Sequence, residues 1–243
     1  MKLFISPQYR PLLEGNELDS FDALWNLSLD SVDAPNVNRG GWSEVFRLEI
    51  EGQGYFLKRQ SNHLTRNILP LLREPTFVRE FRNLQRLQAH GVPTLEVVFF
   101  AHNPLPGDNR AILMTRELDG WFPFDYWLNN WSARPETLRS QLLAACGKLA
   151  RQTYAAGLVH GCFYPKHVFL HPRQTDGGFD AALIDLEKAH PAWMHWHGIS
   201  KDIGQFIRHS PGLSESDLNT LLAAWQNCPP DSAEVRRWRK VIQ

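Results

Sequence analysis

The stretch Gly157–Leu170 reads GLVHGCFYPKHVFL and is a polar, proline-containing loop between two apolar segments. Before it, residues 136–156 carry leucines and a cysteine near one face, which predicts a long amphipathic helix. After it, residues 168–170 predict a short strand. A loop held between rigid elements often carries function. A single histidine or cysteine is usually an ordinary buried residue, but the density of polar groups here favours a functional loop.

A second polar stretch, DLEK, begins at Asp185. The residues before it, 181–184, predict a strand that follows a turn over 175–178. Asp185 would then stand at the end of a buried strand, with Glu187 two residues further on. Carboxylates in that arrangement suit a hard cation such as Mg²⁺. Taken alone, Asp185 would more readily be interpreted as a helix cap or as one half of a surface ion pair.

The first half of the chain is predicted to be rich in strands. Residues 45–50 alternate like a half-buried strand, and a turn over 51–54 leads into a return strand over 55–59. The other elements predicted there are a short helix over 22–25, a helix opened by Pro75 and closed by Gly91, strands over 95–101 and 111–115, and a turn over 103–108.

Two features of this half suit phosphate binding. The segment 40–43 is glycine-rich and precedes a strand, and such a turn lets backbone N–H groups approach phosphates. Lys58 lies in the middle of a hydrophobic strand, where a lysine must pair or extend its ammonium to water. Glu80, on the following helix, is a candidate partner that would hold Lys58 on phosphate oxygens. An ordinary hairpin turn and an edge lysine are the alternatives.

The chain is predicted to become mainly helical after a hinge near residues 117–120. The fold class that follows is α+β with two lobes, residues 1–118 and 119–243. The first lobe would be an antiparallel sheet with one helix. The helices predicted in the second lobe, besides the one before the polar loop, cover residues 124–130 and the chain from Lys201 onward, with a break at 228–230.

Composition narrows the class of protein. The 243 residues are 43% hydrophobic, which excludes a disordered chain. Lys and Arg number 26 and Asp and Glu number 26, so the charge balance argues against a nucleic-acid partner. Cys146, Cys162 and Cys228 form no CxxC pair, which argues against a disulfide scaffold or a cysteine zinc site. With no leader-like N-terminus and no long apolar run, a cytoplasmic protein is expected.

The order of these features resembles the protein-kinase-like fold, and more closely the lipopolysaccharide kinase family, with its InaA-type branch nearest. The family phosphorylates sugars of the lipopolysaccharide inner core. The resemblance implies ATP and Mg²⁺ as cofactors, a core sugar or lipid-linked acceptor, and a place at the cytoplasmic face of the inner membrane. The residues that carry the resemblance are 39–43, 57–59, 79–81, 160–167, 185–188 and 201–206.

The same resemblance implies roles for residues of the first lobe. Gly40, Gly41 and Ser43 would cover the nucleotide phosphates. Lys58 would hold the α- and β-phosphates, and Glu80 would orient it.

For the hinge and the second lobe, the resemblance implies a further set of roles. Glu117 and nearby backbone would meet the adenine. His167 stands where kinases usually have a metal-binding asparagine, and Asp185 would bind Mg²⁺ with the help of Glu187. Asp202 would brace the catalytic loop.

The chain departs from the kinase pattern at Cys162. Kinases place an aspartate there, which orients and deprotonates the acceptor hydroxyl, but here the triplet is His160-Gly161-Cys162. The catalytic residues that the resemblance implies are His160, Cys162, Lys166 and Asp185. A thiol matches that role poorly. General-base help is typically worth about 10²–10⁴ in rate, so a slow kinase assisted by Lys166 or Tyr164 is one interpretation. A pseudokinase that binds nucleotide or a partner in stress response is the other, and a small-molecule or protein kinase is a more distant third.

Two further clusters are interpreted structurally. His190, His195 and His197 match no zinc pattern. Trp193 and Trp196 beside them could stack on a sugar face, but they are expected to pack in the core. The basic residues 236–240 would suit an anionic membrane surface, but a solvated last helical turn is the simpler interpretation.

Overall fold

The structure is a computed structural model that describes residues 1–37, 40–65, 73–175, 177–194 and 198–242. Of the motif residues named above, Arg39, Asp176 and 195–197 lie outside these ranges. Contacts divide the chain into two compact units. Unit 1 is Met1–Gln85 with Leu95–Asp119, and unit 2 is Arg86–Thr94 with Gly120–Gln243.

Unit 1 is built on a five-stranded antiparallel sheet with the strand order β1-β4-β5-β3-β2. In the central strand, β3, Lys58 lies opposite Val45 of β2 and Leu113 of β5. The five strands are β1 (Lys2–Ile5), β2 (Trp42–Ile50), β3 (Gln53–Ser61), β4 (Val97–Leu105) and β5 (Asp108–Arg116).

The two faces of this sheet are covered differently, because successive side chains of a strand point to opposite faces. One face contributes Leu57 to an apolar core that also contains Leu13 and Leu24, from the short helices α1 (Arg10–Gly15) and α2 (Phe21–Asn26).

The other face carries Lys58 and Gln60, whose side chains contact the helix α3 (Thr76–Ala89). Phe81 of α3 stacks on Phe100 of β4 with ring centroids 4.0 Å apart. Helix α3 therefore packs on the lysine-bearing face.

Unit 2 is mainly helical and carries short strands. Helix α5 packs closely against α7 at Gly147. A Cβ on this glycine would lie 2.5 Å from the carbonyl oxygen of Leu221. The helices are α4 (Phe124–Leu128), α5 (Glu136–Ala155), α6 (Gly198–Arg208), α7 (Glu215–Gln226) and α8 (Ala233–Ile242). The strands are β6 (Phe122–Pro123), β7 (Leu158–Val159), β8 (Val168–Pro172), β9 (Phe179–Leu183) and β10 (His190–Pro191).

Asp217 fixes the start of α7 within unit 2. Its carboxylate closes a capping box with Ser214. It also accepts a hydrogen bond from Nε1 of Trp131 at 3.0 Å and lies 3.5 Å from Arg139. One buried carboxylate thus ties three segments of the unit together.

Several predicted boundaries were wrong. The turn predicted over 103–108 is shorter, because β4 runs to Leu105 and β5 starts at Asp108. Strand β1 was not predicted, since its register opposite β4 depends on a partner about 100 residues away in sequence, which local pattern does not reveal. The C-terminal helical region has an additional break between α6 and α7, where Gly212 has a φ of 87°. None of the described helices is long and apolar enough to span a bilayer.

Candidate active site

The ion pair predicted between Lys58 and Glu80 is present in unit 1. The Nζ atom of Lys58 lies 2.6 Å from Oε1 of Glu80. Lys58 occupies the middle of β3, and Glu80 stands one helical turn beyond Thr76, where α3 begins. The Glu80 side chain is 1% exposed and that of Lys58 is 15% exposed. The carboxylate is therefore buried, while the lysine side chain retains some access to solvent.

The glycine-rich segment leads directly into β2. Asn36 and Ser43 exchange two backbone hydrogen bonds of 2.9 Å and form an antiparallel bridge. Gly40 has a φ of 79°, a conformation that favours glycine. A Cβ on Gly41 would lie 2.2 Å from the carbonyl oxygen of Ser61. Both glycines are thus required by the local backbone, and the phosphate-binding role of Gly40, Gly41 and Ser43 stays a prediction.

Glu117 lies just after β5 and is held within unit 1. Its carboxylate pairs with Arg47, with 2.7 Å between Oε2 and the guanidinium nitrogen. Its backbone N–H donates to the carbonyl of Gly54 at 3.0 Å. The predicted contact with adenine stays a prediction.

The polar loop of unit 2 is braced by Asp202 of α6, as predicted. Oδ2 of Asp202 accepts from the backbone N–H of His160 at 2.7 Å, and Oδ1 accepts from that of Gly161 at 2.9 Å. Gly161 has a φ of 77°, and a Cβ there would lie 3.0 Å from the carbonyl oxygen of Lys188. Burial raises the pKa of Asp202 to about 7, while the two N–H donors act to lower it.

His160 is buried in one tautomer. The backbone N–H of Cys162 donates to its Nδ1 at 3.2 Å, so the proton is on Nε2, which donates to the carbonyl of Ile184 at 2.9 Å. Burial lowers the pKa of His160 to about 4, against the opposing effects of the Ile184 carbonyl and Asp185. A neutral His160 therefore links the loop to the chain segment that follows β9.

His167 and Asp185 meet beside that link. Nδ1 of His167 donates to the carbonyl of Cys162 at 2.8 Å, and its Nε2 lies 3.3 Å from Oδ2 of Asp185. Burial lowers the pKa of His167, although Asp185 acts to raise it. A neutral ring directs the Nε2 lone pair toward the carboxylate. Asp185 itself has a φ of 60°, a strained backbone of the kind that clusters at functional sites.

The predicted metal-binding set is assembled only in part. His167 and Asp185 are adjacent, but within the described part of the chain no group of three or more His, Cys, Asp or Glu side chains is arranged to hold a metal ion. Glu187 therefore does not complete a three-ligand site with them. A single carboxylate fits a Mg²⁺ ion that takes its other ligands from phosphates and water. An imidazole nitrogen such as Nε2 of His167 is a ligand that transition metals prefer, so the fit to Mg²⁺ rests on Asp185.

Cys162 lies where the resemblance places the kinase aspartate and is 5% exposed. Burial acts to lower the pKa of Lys188, but a hydrogen bond and charge interaction with the Cys162 side chain, together with neighbouring carboxylates, raise it overall. Lys188 is therefore an ammonium next to the thiol. Lys166 is exposed, and the ring of Tyr164 packs against His209 with centroids 4.5 Å apart.

The model of the lipopolysaccharide kinase (Kdo/WaaP) family matches residues 22–225, a range that includes Lys58 and Glu80 of unit 1 and the site residues 160–202 of unit 2. The chain belongs to this family. The family resemblance that the sequence motifs suggested is thereby confirmed.

Individual relatives agree with the family assignment. Protein InaA of Escherichia coli (strain K12) is 27% identical over 207 residues, which cover 84% of this chain and 94% of that protein. A solved structure of WaaP in complex with acyl carrier protein matches with a TM-score of 0.74 at 22% identity, covering 99% of this chain and 97% of the WaaP chain. The predicted α+β, protein-kinase-like fold is confirmed by this match.

Two side-chain contacts in or next to the candidate site were not predicted from the sequence. Lys188 contacts Cys162, and Gln60 contacts the start of α3. The only sequence signals for these two contacts were the positions of Lys188 and Gln60. Lys188 directly follows the acidic pair of DLEK, and Gln60 lies two residues beyond Lys58 on the same face of β3.

Proposed function

We propose that the chain is an ATP- and Mg²⁺-dependent kinase that phosphorylates a sugar hydroxyl of the lipopolysaccharide core. The observation that carries this proposal is the ion pair between Lys58 and Glu80 at 2.6 Å. A strand lysine can usually reach water without a buried partner. A buried ion pair seldom adds net stability compared with apolar residues, so its presence is better explained by use of the ammonium.

In this proposal, unit 1 supplies nucleotide-binding groups. Lys58 binds the α- and β-phosphates, and Glu80 orients it. Backbone N–H groups of Gly40, Gly41 and Ser43 cover the phosphates, and the backbone next to Glu117 meets the adenine.

Unit 2 supplies the metal-binding and loop-positioning groups. Asp185 would hold Mg²⁺, with His167 beside it, and the ion would neutralise phosphate charge. Asp202 and His160 fix the backbone of the loop through the hydrogen bonds described above. Rigid support of this kind reduces the reorganisation needed at the moment of phosphoryl transfer.

The transfer itself proceeds without an aspartate base. The acceptor hydroxyl oxygen attacks the γ-phosphorus, the bond from that phosphorus to the β–γ bridging oxygen breaks, and ADP leaves. The hydroxyl proton passes to a phosphate oxygen or to water, because Cys162 replaces the aspartate that would accept it. The ammonium of Lys188 and that of Lys166 stabilise charge on the transferred group. Loss of a general base typically lowers the rate by about 10²–10⁴, so slow turnover is expected.

A second candidate function is a nucleotide- or partner-binding scaffold without turnover, acting in stress response. Cys162 is the observation that favours it, because the thiol is buried at the position where kinases use a carboxylate. Replacement by aspartate separates the two candidates, as described in the Discussion.

The acceptor is proposed to be lipid-linked and reached from the cytoplasmic face of the inner membrane. Helix α8 carries Arg236, Arg237, Arg239 and Lys240, whose charge would favour peripheral contact with anionic lipids. Arg239 is also engaged within the unit, at 2.7 Å from Glu215.

Ligand-dependent thermal unfolding tests the proposal first. A ligand at about 100 times its Kd stabilises a native protein by about 2.7 kcal/mol, which for a chain of this size raises Tm by roughly 5–10 °C. We expect that shift with ATP and Mg²⁺ together, and its loss in Lys58→Ala and Asp185→Ala. The exposed residues Lys2 and Asp180 provide the matched controls Lys2→Ala and Asp180→Ala, which should keep it.

Radiolabelled phosphate transfer from ATP to purified core oligosaccharide follows as the test of turnover. Retention of the ATP shift in both site variants would contradict the proposed nucleotide site. Binding without transfer to any core acceptor would favour the scaffold.

A further inference from the structure

We infer that Gln60 is a positioning residue that clamps the start of α3 to β3 and thereby sets the geometry of the Lys58–Glu80 pair. The catalytic consequence of this inference rests on the proposed function, whereas the positioning itself concerns unit 1 alone.

The Gln60 side chain is fully buried and makes three hydrogen bonds around the helix start. Its Oε1 accepts from the hydroxyl of Thr76 at 2.9 Å and from the backbone N–H of Phe77 at 2.8 Å. Its Nε2 donates to the backbone carbonyl of His63 at 2.8 Å. A buried amide with this many partners is held in one orientation, because any rotation would leave buried groups without hydrogen bonds.

Gln60 acts as a helix cap supplied from another element. The first backbone N–H groups of a helix lack partners within the helix, and a side chain from the residue before it usually satisfies one of them. Here that residue is Pro75, which has no polar side chain. The N–H of Phe77 is satisfied by β3 instead, so the helix start is tied to the strand.

The backbone reinforces this clamp. The N–H of Thr76 donates to the carbonyl of His63 at 3.1 Å, and Leu64 and Pro75 form an antiparallel bridge. Nδ1 of His63 lies 3.2 Å from the Thr76 hydroxyl. The segment just after β3 and the start of α3 are therefore paired directly.

The clamp and the ion pair are two parallel links between the same strand and the same helix. On the strand, Gln60 lies two residues from Lys58, a rise of about 6.6 Å. On the helix, Thr76 lies four residues from Glu80, a rise of about 6 Å. Because the two spacings match, fixing the Gln60 link sets the height at which Glu80 meets Lys58.

The test measures the pair directly, by the rate at which an amine-acylating reagent modifies Lys58 in the full-length protein, read by mass spectrometry. Gln60→Ala removes all three hydrogen bonds of the clamp, and Thr76→Val removes the one from the Thr76 hydroxyl with little change of shape. We expect Lys58 to be modified roughly tenfold faster in both, the equivalent of losing one charge-assisted hydrogen bond. Thr76→Ser keeps the hydroxyl and should restore the wild-type rate.

Leu48→Ala is the control for general loosening of unit 1, because Leu48 is buried in the core cluster on the opposite face of the sheet. It should leave the Lys58 modification rate unchanged. An unchanged rate in folded Gln60→Ala and Thr76→Val would overturn the inference, and so would an equal increase in Leu48→Ala.

The KM for ATP separates this inference from the proposed function. If the chain is a kinase, Gln60→Ala and Thr76→Val raise KM for ATP more than they lower kcat, while Leu48→Ala changes neither. Faster Lys58 modification in a protein that never binds ATP would support the clamp and contradict the proposed function. Clear ATP binding with unchanged modification rates would contradict the clamp alone.

Discussion

The side chains of Lys58 and Glu80 differ in burial, so we expect replacing Lys58 to lower the free energy of unfolding more than replacing Glu80 does. Lys58→Met would leave a carboxylate that is 1% exposed without its cation. Removing one partner of a buried pair typically destabilises a protein by about 3–5 kcal/mol. Glu80→Gln instead leaves a lysine side chain that is 15% exposed and can extend toward water. We expect that change to cost about 1–3 kcal/mol.

The double variant Lys58→Met/Glu80→Gln should recover most of the loss, because no buried charge then remains. The effect of Lys58→Met alone should also depend on pH. Without Lys58, the buried carboxylate takes up a proton in the folded protein more readily than in the unfolded chain. Stability lost at about pH 8 should therefore return progressively toward pH 5.

Urea unfolding, followed by circular dichroism at both pH values, measures these differences. Arg82→Met is the matched control, because Arg82 lies 2.6 Å from Glu74 but is 59% exposed. An exposed pair is worth about 0–1 kcal/mol, so this control should unfold nearly as the wild type does. Equal losses in Lys58→Met and Glu80→Gln, or a loss in Lys58→Met no larger than in Arg82→Met, would refute the reasoning.

Four further outcomes are expected. The pKa of Asp202 is raised to about 7, so its stabilising contribution is complete below about pH 4 and is lost as the pH rises through 7. Asp202→Asn should therefore remove this pH dependence from the free energy of unfolding measured between about pH 4 and pH 7. Cys162→Asp should raise phosphate transfer about tenfold or more if the chain is a slow kinase, and an unchanged rate would favour the scaffold. Gly147→Ala should destabilise by about 1–3 kcal/mol in thermal unfolding, because its Cβ would lie 2.5 Å from a carbonyl of α7. Asp217→Ala should lower the free energy of unfolding by about 2–4 kcal/mol, because it removes a helix cap and the hydrogen-bond acceptor of Trp131 Nε1. A change below about 1 kcal/mol in urea unfolding would contradict this expectation.

Much of the candidate site was predictable because its chemistry lies in short, local motifs. Asp185 was predicted at the end of a strand, and the structure places it just after β9. Asp202 was expected to brace the loop, and it accepts two backbone hydrogen bonds there. The pairing of Lys58 with Glu80 needed only a helix packed on a sheet, a common arrangement that places the two side chains within reach.

Other features were not predictable because they depend on contacts between distant segments. Glu187 has the residue type and spacing of a metal ligand, yet no three-ligand group forms among the described residues. His160 lies in a motif that suggested catalysis, but its burial and hydrogen bonds make it a neutral structural link. Side-chain direction and burial decide such roles, and neither is encoded in local spacing.

The sequence by itself determined the family and the α+β fold class, because motif order and hydrophobic periodicity can be recognised without knowledge of contacts. Only the tertiary structure decided that Gln60 caps α3, that Lys188 contacts Cys162, and which histidine tautomers the loop requires. Each of these depends on hydrogen bonds between groups brought together by packing. Polar groups that are buried on folding must form hydrogen bonds, and the whole folded chain decides which groups are buried next to one another.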